Sequence, residues 1–525
     1  MKNILKTTLL VLCAVLCCFA TLPVQAAPTA KKKATASSTE KKSKSKTTSS
    51  RKSSTKKKAK KEATPTPAPT PVTEADIPTA IERILRDNRN AGIFGVEVAR
   101  LENGKVLYQN NNANRGFIPA SVRKVMTTCL ALDQLGPDFR YQTYLMKTGS
   151  VSSDGTLNGD LVILPQGDPT FSSLLFRKTA PDWVYRDWVD KVKQQGIRHI
   201  KGGLKIDCSD WDMGGLKPDW PSRMLNDTYA NFPSPLTVKE NLMEVVVKPG
   251  APGQPGIVEF RPDAQGYPII NKTVTGKGSA FKVKRGTDNR IQLMGNVNSV
   301  KALTLPSDNP SLYAAAVFRS LLKKSGIDFD GTLTIERRRI CTPSRENVVA
   351  YYQSPALSDI LTVMNKHSEN HLAEQIYVSI GAVKGGKAGY ATSRVIERNF
   401  LKRAGVDITG FYGADGCGLS EANRVSPHQL VQLLTYMVSQ PSFSVFYNTL
   451  PKSGIDGTLK SRMQGYPGRI IAKTGTINGV VTLSGYVQAS EKQTYVFAIL
   501  VNKASRSGAR AVEDRICETL VRATP

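Results

Sequence analysis

Three short segments, far apart in the chain, constrain what it can fold into. They are Pro119-Ala120-Ser121-Val122-Arg123-Lys124, His367-Ser368-Glu369-Asn370 and Lys473-Thr474-Gly475-Thr476. In order they read S-x-x-K, S-x-N and K-T-G. They supply a serine nucleophile, an amine base, a second hydroxyl and a second amine, with no histidine triad. That is the equipment of acyl transfer through a serine ester. A fold that uses them must bring together two serines that lie 247 residues apart.

Each pattern alone is weak. S-x-x-K also occurs at Ser43/Lys46, Ser53/Lys56 and Ser54/Lys57, in a segment that cannot hold geometry. Lys147-Thr148-Gly149 repeats K-T-G only 23 residues after Lys124, which leaves no room for the second motif. Ser307-Asp308-Asn309 is a literal S-D-N, but Pro310 and a helical pattern follow it, so helix capping explains it. Ser121 by itself reads equally as a helix N-cap with a solvated lysine one turn on. Taken in order, 121, 368 and 473 form a specific set. The histidines, 199, 367, 371 and 428, lie near no convincing G-x-S-x-G elbow, and His367 reads as a loop or helix-start residue.

The chain around these motifs is organised in parts. Residues 79–86 read as a short helix. Residues 93–100 and 105–109 read as strands, with Asn103-Gly104 as their turn. An apolar-periodic helix opens at Ser121 and stops before Gly136-Pro137. Residues 480–488 and 494–502 form a second hairpin pattern, and a helix over about 509–522 follows. Strands at both ends with helices between predict one sheet built from both ends of the chain. From about 141 to 300 short strand-like runs alternate with Gly, Pro and Asp, for example 160–164, 203–207, 243–247 and 256–260. Few segments there read as helical. A strong helix resumes over 309–325.

The N-terminal residues have the make-up of a secretory signal: Lys2 and Lys6, a mostly apolar run over 7–22, and cleavage after Ala26. That run is short of the roughly 20 residues needed to span a bilayer. Residues 27–73 carry 14 Lys or Arg against Glu40 and Glu62. With almost no large apolar residue they are expected to be a disordered, basic tail ending in a Pro-rich spacer. The chain's formal net charge is +29. Export, and a tail without aromatic rings for bases to stack on, argue against a nucleic-acid partner. Anionic envelope polymers or lipid head groups fit the tail better. Cys129, Cys208, Cys341, Cys417 and Cys517 remain after processing, an odd, scattered set unlike a disulfide framework. No Cys/His cluster suggests a metal, and no cofactor is expected.

With these segments the chain resembles the class C low-molecular-mass penicillin-binding proteins, the D-alanyl-D-alanine carboxypeptidase/endopeptidase family of the cell wall. The resemblance runs from about Thr79 to the C-terminus. Further segments carry it: Gln166-Gly167-Asp168-Pro169-Thr170, Ile206-Asp207, Asp415-Gly416-Cys417-Gly418-Leu419-Ser420, Leu450-Pro451, Gly454 and Asp456-Gly457-Thr458-Leu459. It implies an α/β multidomain fold. A serine β-lactamase/transpeptidase-like domain, an antiparallel sheet flanked by helices, would come from 74–140 and 305–525, with inserted β-rich domains at 141–304.

The resemblance also implies roles. Ser121 would attack the carbonyl between two D-alanines. Lys124, its pKa lowered by neighbouring cations and burial, would take the proton. Ser368 would relay it to the leaving amine, and Asn370 would bind the substrate's peptide group. Lys473 would add positive charge, and Thr474 would hold the terminal carboxylate. The N–H groups of Ser121 and Thr476 would form the oxyanion hole beside Gly475. Asp227 and Phe232 match positions that contact the peptidoglycan stem peptide. Relatives often carry Arg after the G-L-S segment to read diaminopimelate. Here the residue is Glu421, with Arg424 as a candidate substitute, so that preference stays open.

The implied protein is a periplasmic, β-lactam-sensitive DD-carboxypeptidase that also cleaves D-alanyl cross-links. A β-lactamase, which would need a deacylating Glu near the motifs, and an inactive envelope-binding protein are the alternatives. The tail generates a separate expectation. A chain beginning at Thr73 should hydrolyse a small D-Ala-D-Ala peptide at the full-length rate. It should bind sacculi or anionic vesicles less at low salt, and the difference should shrink near 0.5 M salt, where screening acts over about 4 Å. Equal binding at low salt would make the tail only a solvated leader.

Overall fold

Residues 480–502 are apolar on both faces of two strands, so the sheet they form must be covered on both sides. The computed structural model describes residues 72–525 apart from 178, 179, 279 and 287. The signal-like segment and all but the last two residues of the expected tail lie outside the described residues. The main sheet is antiparallel throughout. Its spatial order is Ile470–Ile477, Val480–Ser490, Gln493–Asn502, Ile93–Arg100, Val106–Gln109. Both ends of the chain therefore meet in one sheet, as the patterning predicts. Val72–Thr73, read as the end of the tail, instead pairs in parallel with Ala523–Thr524.

Helices cover the two faces. Ile77–Asp87 and Arg506–Arg522 pack on one, burying Ile77, Ile81, Val512 and Ile516 against Val96, Val98, Phe497 and Ile499. The other face meets the Ser121 helix, Arg123–Leu135, and the helix Pro427–Val438. Residues 123–132 are all buried, because that helix runs between the sheet and the helix Asn370–Gly385. Such a helix has no polar face to give to water, so a charged residue on it needs partners inside the protein.

The insertion is β-rich as expected. Its largest sheet is mixed, in the order Leu333–Glu336, Leu204–Asp207, Leu161–Leu164, Gln142–Lys147, Val348–Gln353. Strands 333–336 and 348–353, which follow residue 304 in the chain, complete it. The insertion also contains a 12-residue helix, Trp183–Gln194, where few helical segments were expected. That helix and Pro310–Lys324 bury an aromatic cluster. Phe171 and Trp188 lie 5.1 Å apart edge to face, and Tyr185 stacks on Phe318 at 5.0 Å. Three three-stranded sheets complete the insertion, one built on Leu242–Lys248, one on Ile291–Val297 and a short one on His199–Ile200. Trp188 is fully buried, so Trp188→Ala should cost about 3–5 kcal/mol. Urea unfolding followed by circular dichroism should show an earlier transition, and an unmoved transition would mean this cluster is not the insertion's core.

Candidate active site

Ser121 sits in a single 3-10 turn, Ala120–Val122, that leads into the helix Arg123–Leu135. Two glycines let the chain close around that turn. A Cβ on Gly418 would lie 1.9 Å from the Ala120 carbonyl oxygen, and one on Gly475 would lie 2.9 Å from the Ser121 nitrogen. Lys124 follows one helical turn after Ser121 and is fully buried. Its Nζ is 3.1 Å from Ser121 Oγ, 2.7 Å from Asn370 Oδ1 and 2.9 Å from the Cys417 carbonyl oxygen.

Ser368 caps the helix Leu357–His367 in the left-handed conformation, with φ 61°. The break it makes lets Asn370 open the next helix. Lys473, buried in the strand Ile470–Ile477, donates to Ser368 Oγ at 2.9 Å and to the Thr474 carbonyl at 2.8 Å. Strand alternation puts Lys473 and Gly475 on the side of the two serines and Thr474 and Thr476 on the other. Thr474 Oγ1 lies 2.7 Å from Thr458 Oγ1. This strand is the edge of the main sheet. Its outer side is bridged by Lys452 at Ile471, and no described residue bridges it from Lys473 to Ile477.

The structure thus links Ser121, Lys124 and Asn370 in one hydrogen-bonded group and Ser368 with Lys473 in another. Asp227 lies close by: its carboxylate accepts from the Tyr229 hydroxyl at 2.6 Å, and the Tyr229 carbonyl accepts from Asn370 Nδ2 at 3.0 Å. Phe232 is buried and stacked on Trp220 at 5.8 Å, so it supports the wall and leaves the exposed Tyr229 as the surface. Tyr229 sits in an irregular loop, where no periodic signal could mark it. Arg424 is exposed and donates through Nη1 to the Glu421 and Asn423 carbonyls. The guanidinium that meets the Glu421 carboxylate is that of Arg223.

Behind these groups lies a layer that the motifs do not mark. Asp415 accepts from the Gly418 and Ser420 N–H groups at 2.8 and 2.6 Å, and from Asn423 Nδ2 and Trp220 Nε1 at 2.8 and 2.9 Å. Glu374 accepts from the Gly416 and Cys417 N–H groups and from the Tyr390 hydroxyl. Together they fix the 415–420 turn that aims the Cys417 carbonyl at Lys124. Glu374, Asp415 and the Cys417 thiol lie within 4.8 Å of one another. The two carboxylates are occupied by these donors, so the cluster reads as a brace. Arg123, between the two motif residues, forms a buried bidentate pair with Glu397 at 2.6 and 2.7 Å, and Tyr377 donates to the same carboxylate.

Burial lowers the pKa of Lys124 from its ordinary 10.5, opposed by Cys417, Asp415 and Glu374. Burial is the leading cause, one of the two expected. Lys473 is likewise held well below 10.5, by burial and then by repulsion from Lys124, an interaction the two amines share. Burial also raises Glu374 to about 7, with Asp415 adding to the effect. The cavities of about 560 Å³ beside Arg186 and Lys324 and about 310 Å³ beside Cys129 and Tyr436 do not include any of the motif residues. The reactive groups lie along the open sheet edge instead.

A serine hydroxyl beside a buried, weakly basic lysine, on an antiparallel sheet flanked by helices, defines an active-site-serine acyl-transfer enzyme. Comparison makes the class specific. The model of the D-Ala-D-Ala carboxypeptidase 3 (S13) family matches residues 77–522, and the chain belongs to that family of serine peptidases. It is 32% identical over 464 residues to a D-alanyl-D-alanine carboxypeptidase of Actinomadura sp. (strain R39), covering 84% of this chain and 83% of that protein. It is 24% identical to D-alanyl-D-alanine carboxypeptidase DacB of Haemophilus influenzae, covering 77% and 84%. The fold matches the crystal structure of penicillin binding protein 4 from Haemophilus influenzae with a TM-score of 0.71 at 22% identity, over 84% of this chain and 99% of that one.

The two lysines should fail differently. Lys124→Ala should slow acylation by benzylpenicillin by about 10²- to 10⁴-fold, the range for loss of a general base. Lys473→Ala should also weaken initial binding. In the wild type only neutral Lys124 can accept the serine proton, so the acylation rate should rise with pH and reach its plateau below pH 10.5. A rate unchanged by Lys124→Ala would remove that residue from the chemistry.

Proposed function

We propose that the protein is an exported, penicillin-sensitive serine DD-carboxypeptidase that acts on peptidoglycan stem peptides and also opens D-alanyl cross-links. The observation that carries this reading is the 3.1 Å contact between Ser121 Oγ and the buried amine of Lys124. Family membership supplies the substrate class. A stem peptide laid against the open edge at Lys473 to Ile477 would pair with the strand as an added strand does.

Ser121 Oγ attacks the carbonyl of the penultimate D-alanine and its proton passes to Lys124 Nζ. The N–H groups of Ser121 and Thr476 receive the oxyanion, and one such donor is worth roughly 3–4 kcal/mol. Ser368, held by Lys473, passes a proton to the departing amine. Water then attacks the ester and returns the hydroxyl to Ser121. No step calls for a metal or cofactor. A cell-envelope, periplasmic location fits the signal-like N-terminus, and no helix among the described residues is long and apolar enough to cross a membrane. The basic segment 27–73 would serve adsorption to anionic envelope polymers or lipid head groups, apart from the chemistry.

Intact-mass spectrometry after penicillin treatment should show one persistent adduct in the wild type and none in Ser121→Ala. Rapid loss of the adduct would indicate a β-lactamase, and no wild-type adduct an inactive binding protein. Digestion of defined muropeptides should release single alanines from pentapeptides and monomers from cross-linked dimers. An adduct on the Ser121→Ala protein would overturn the assignment of the nucleophile.

A further inference from the structure

The K-T-G strand has a second face that the steps above do not use fully. Thr474 and Thr476 point away from the two serines, and there Thr476 Oγ1 meets Arg510. This residue lies in the second turn of Arg506–Arg522 and brings Nη2 to 3.4 Å from that hydroxyl. Its environment is unlike that of the next arginine along the surface. Arg462 is held by Glu513 at 2.9 Å and Asp514 at 2.6 Å. Arg510 forms no ion pair among the described residues, and its Nε is buried without a hydrogen-bond partner. Burial and then the charges of Arg506 and Arg462 weaken its hold on its own proton, opposed by the more distant Glu513 and Asp514. A half-buried guanidinium with a long bond to one hydroxyl and an orphaned N–H has lost hydration without gaining a counter-ion.

A substrate on the open strand edge would bring the counter-ion. Its reacting carbonyl belongs beside Ser121 and the Thr476 N–H. Its terminal carboxylate follows one residue later, about 3.8 Å further along the chain. That length places the carboxylate by the Thr474 and Thr476 hydroxyls, within reach of the Arg510 fork. We infer that Arg510 is a specificity-determining residue that pairs with the substrate's terminal carboxylate and, in the same place, with the carboxylate of a β-lactam. The inference rests on the peptidase reading and adds a cation to the hydroxyls of the strand. Guanidinium geometry suits a planar carboxylate bidentately, whereas the lysine on this strand faces the serines.

The test compares benzylpenicillin with its methyl ester, following acyl-enzyme formation by intact mass. Arg510→Ala should lower the second-order acylation rate with benzylpenicillin by about 10- to 100-fold, the range for losing a charge-assisted hydrogen bond. It should leave the slower rate with the ester near the wild-type value. Arg510→Lys should recover part of the loss, since it restores the charge without the fork. Thermal unfolding of both variants should match the wild type, because Arg510 is half-exposed on a helix that tolerates alanine. Equal losses with acid and ester would make the residue merely structural and overturn the inference, as would no loss with either. A wild type that benzylpenicillin fails to acylate at all would refute the peptidase reading itself, and this inference with it.

Discussion

The structure depends on keeping one amine, Lys124 Nζ, buried and uncharged enough to act as a base. Taking an ammonium out of water costs several kcal/mol even after relaxation, so burial shifts the balance toward the neutral form. A carboxylate in direct contact would reverse this and hold the proton in place. The structure puts its acids one layer back. Glu374 and Asp415 spend oxygens on N–H groups of the 415–420 turn, and besides Ser121 Oγ only the Cys417 carbonyl and the Asn370 amide oxygen reach Lys124. The amine thus receives neutral acceptors that orient it, while the acids fix those acceptors in place.

The insertion is compatible with this economy of space because its neck is closed. Chain entry at Gln142 and exit at Gln353 pair directly across two antiparallel strands. Tyr141 and Ser354 exchange hydrogen bonds just outside them, and the Leu357 N–H reaches the Phe139 carbonyl. The Ser121 helix and the helix before Ser368 are therefore tied together as though by a short loop. The insertion then returns to the site: Trp220 donates to Asp415, and Gln375 clamps both the N–H and the carbonyl of Ser234.

Much of this was legible because the relevant signals are local. The strand Ile93–Arg100, the terminal hairpin and the S-x-x-K turn each announce themselves by alternation or spacing. Trp183–Gln194 was also legible in principle, with apolar residues at 184, 185, 188, 189 and 192, but the frequent breakers around it masked the period. The pairing of Leu333–Glu336 was not. Leu333–Glu336 is four residues long and borders charged residues 336–339, and nothing local says which sheet it joins. Arg123, Glu374 and Asp415 carry no periodic mark either. Their roles come from partners such as Glu397 and Trp220, 274 and 195 residues distant.

The same residues show where stability is given up. Ala120 and Ser368 both hold positive φ, 45° and 61°, a conformation that costs about 1–3 kcal/mol in a residue with a side chain. Each lies at a reacting group, one just before the nucleophile and one at the proton relay. Such strain persists only where the surroundings over-determine it. At Ala120 the constraint comes from Gly418 and Gly475, whose missing Cβ atoms let two separate segments approach the turn closely. At Ser368 it comes from the Glu369 N–H, bound to the Met364 carbonyl, and from Lys473 across the gap. The glycines of the G-C-G-L-S and K-T-G segments are thus part of the nucleophile's support, which is why those motifs need glycine where they have it.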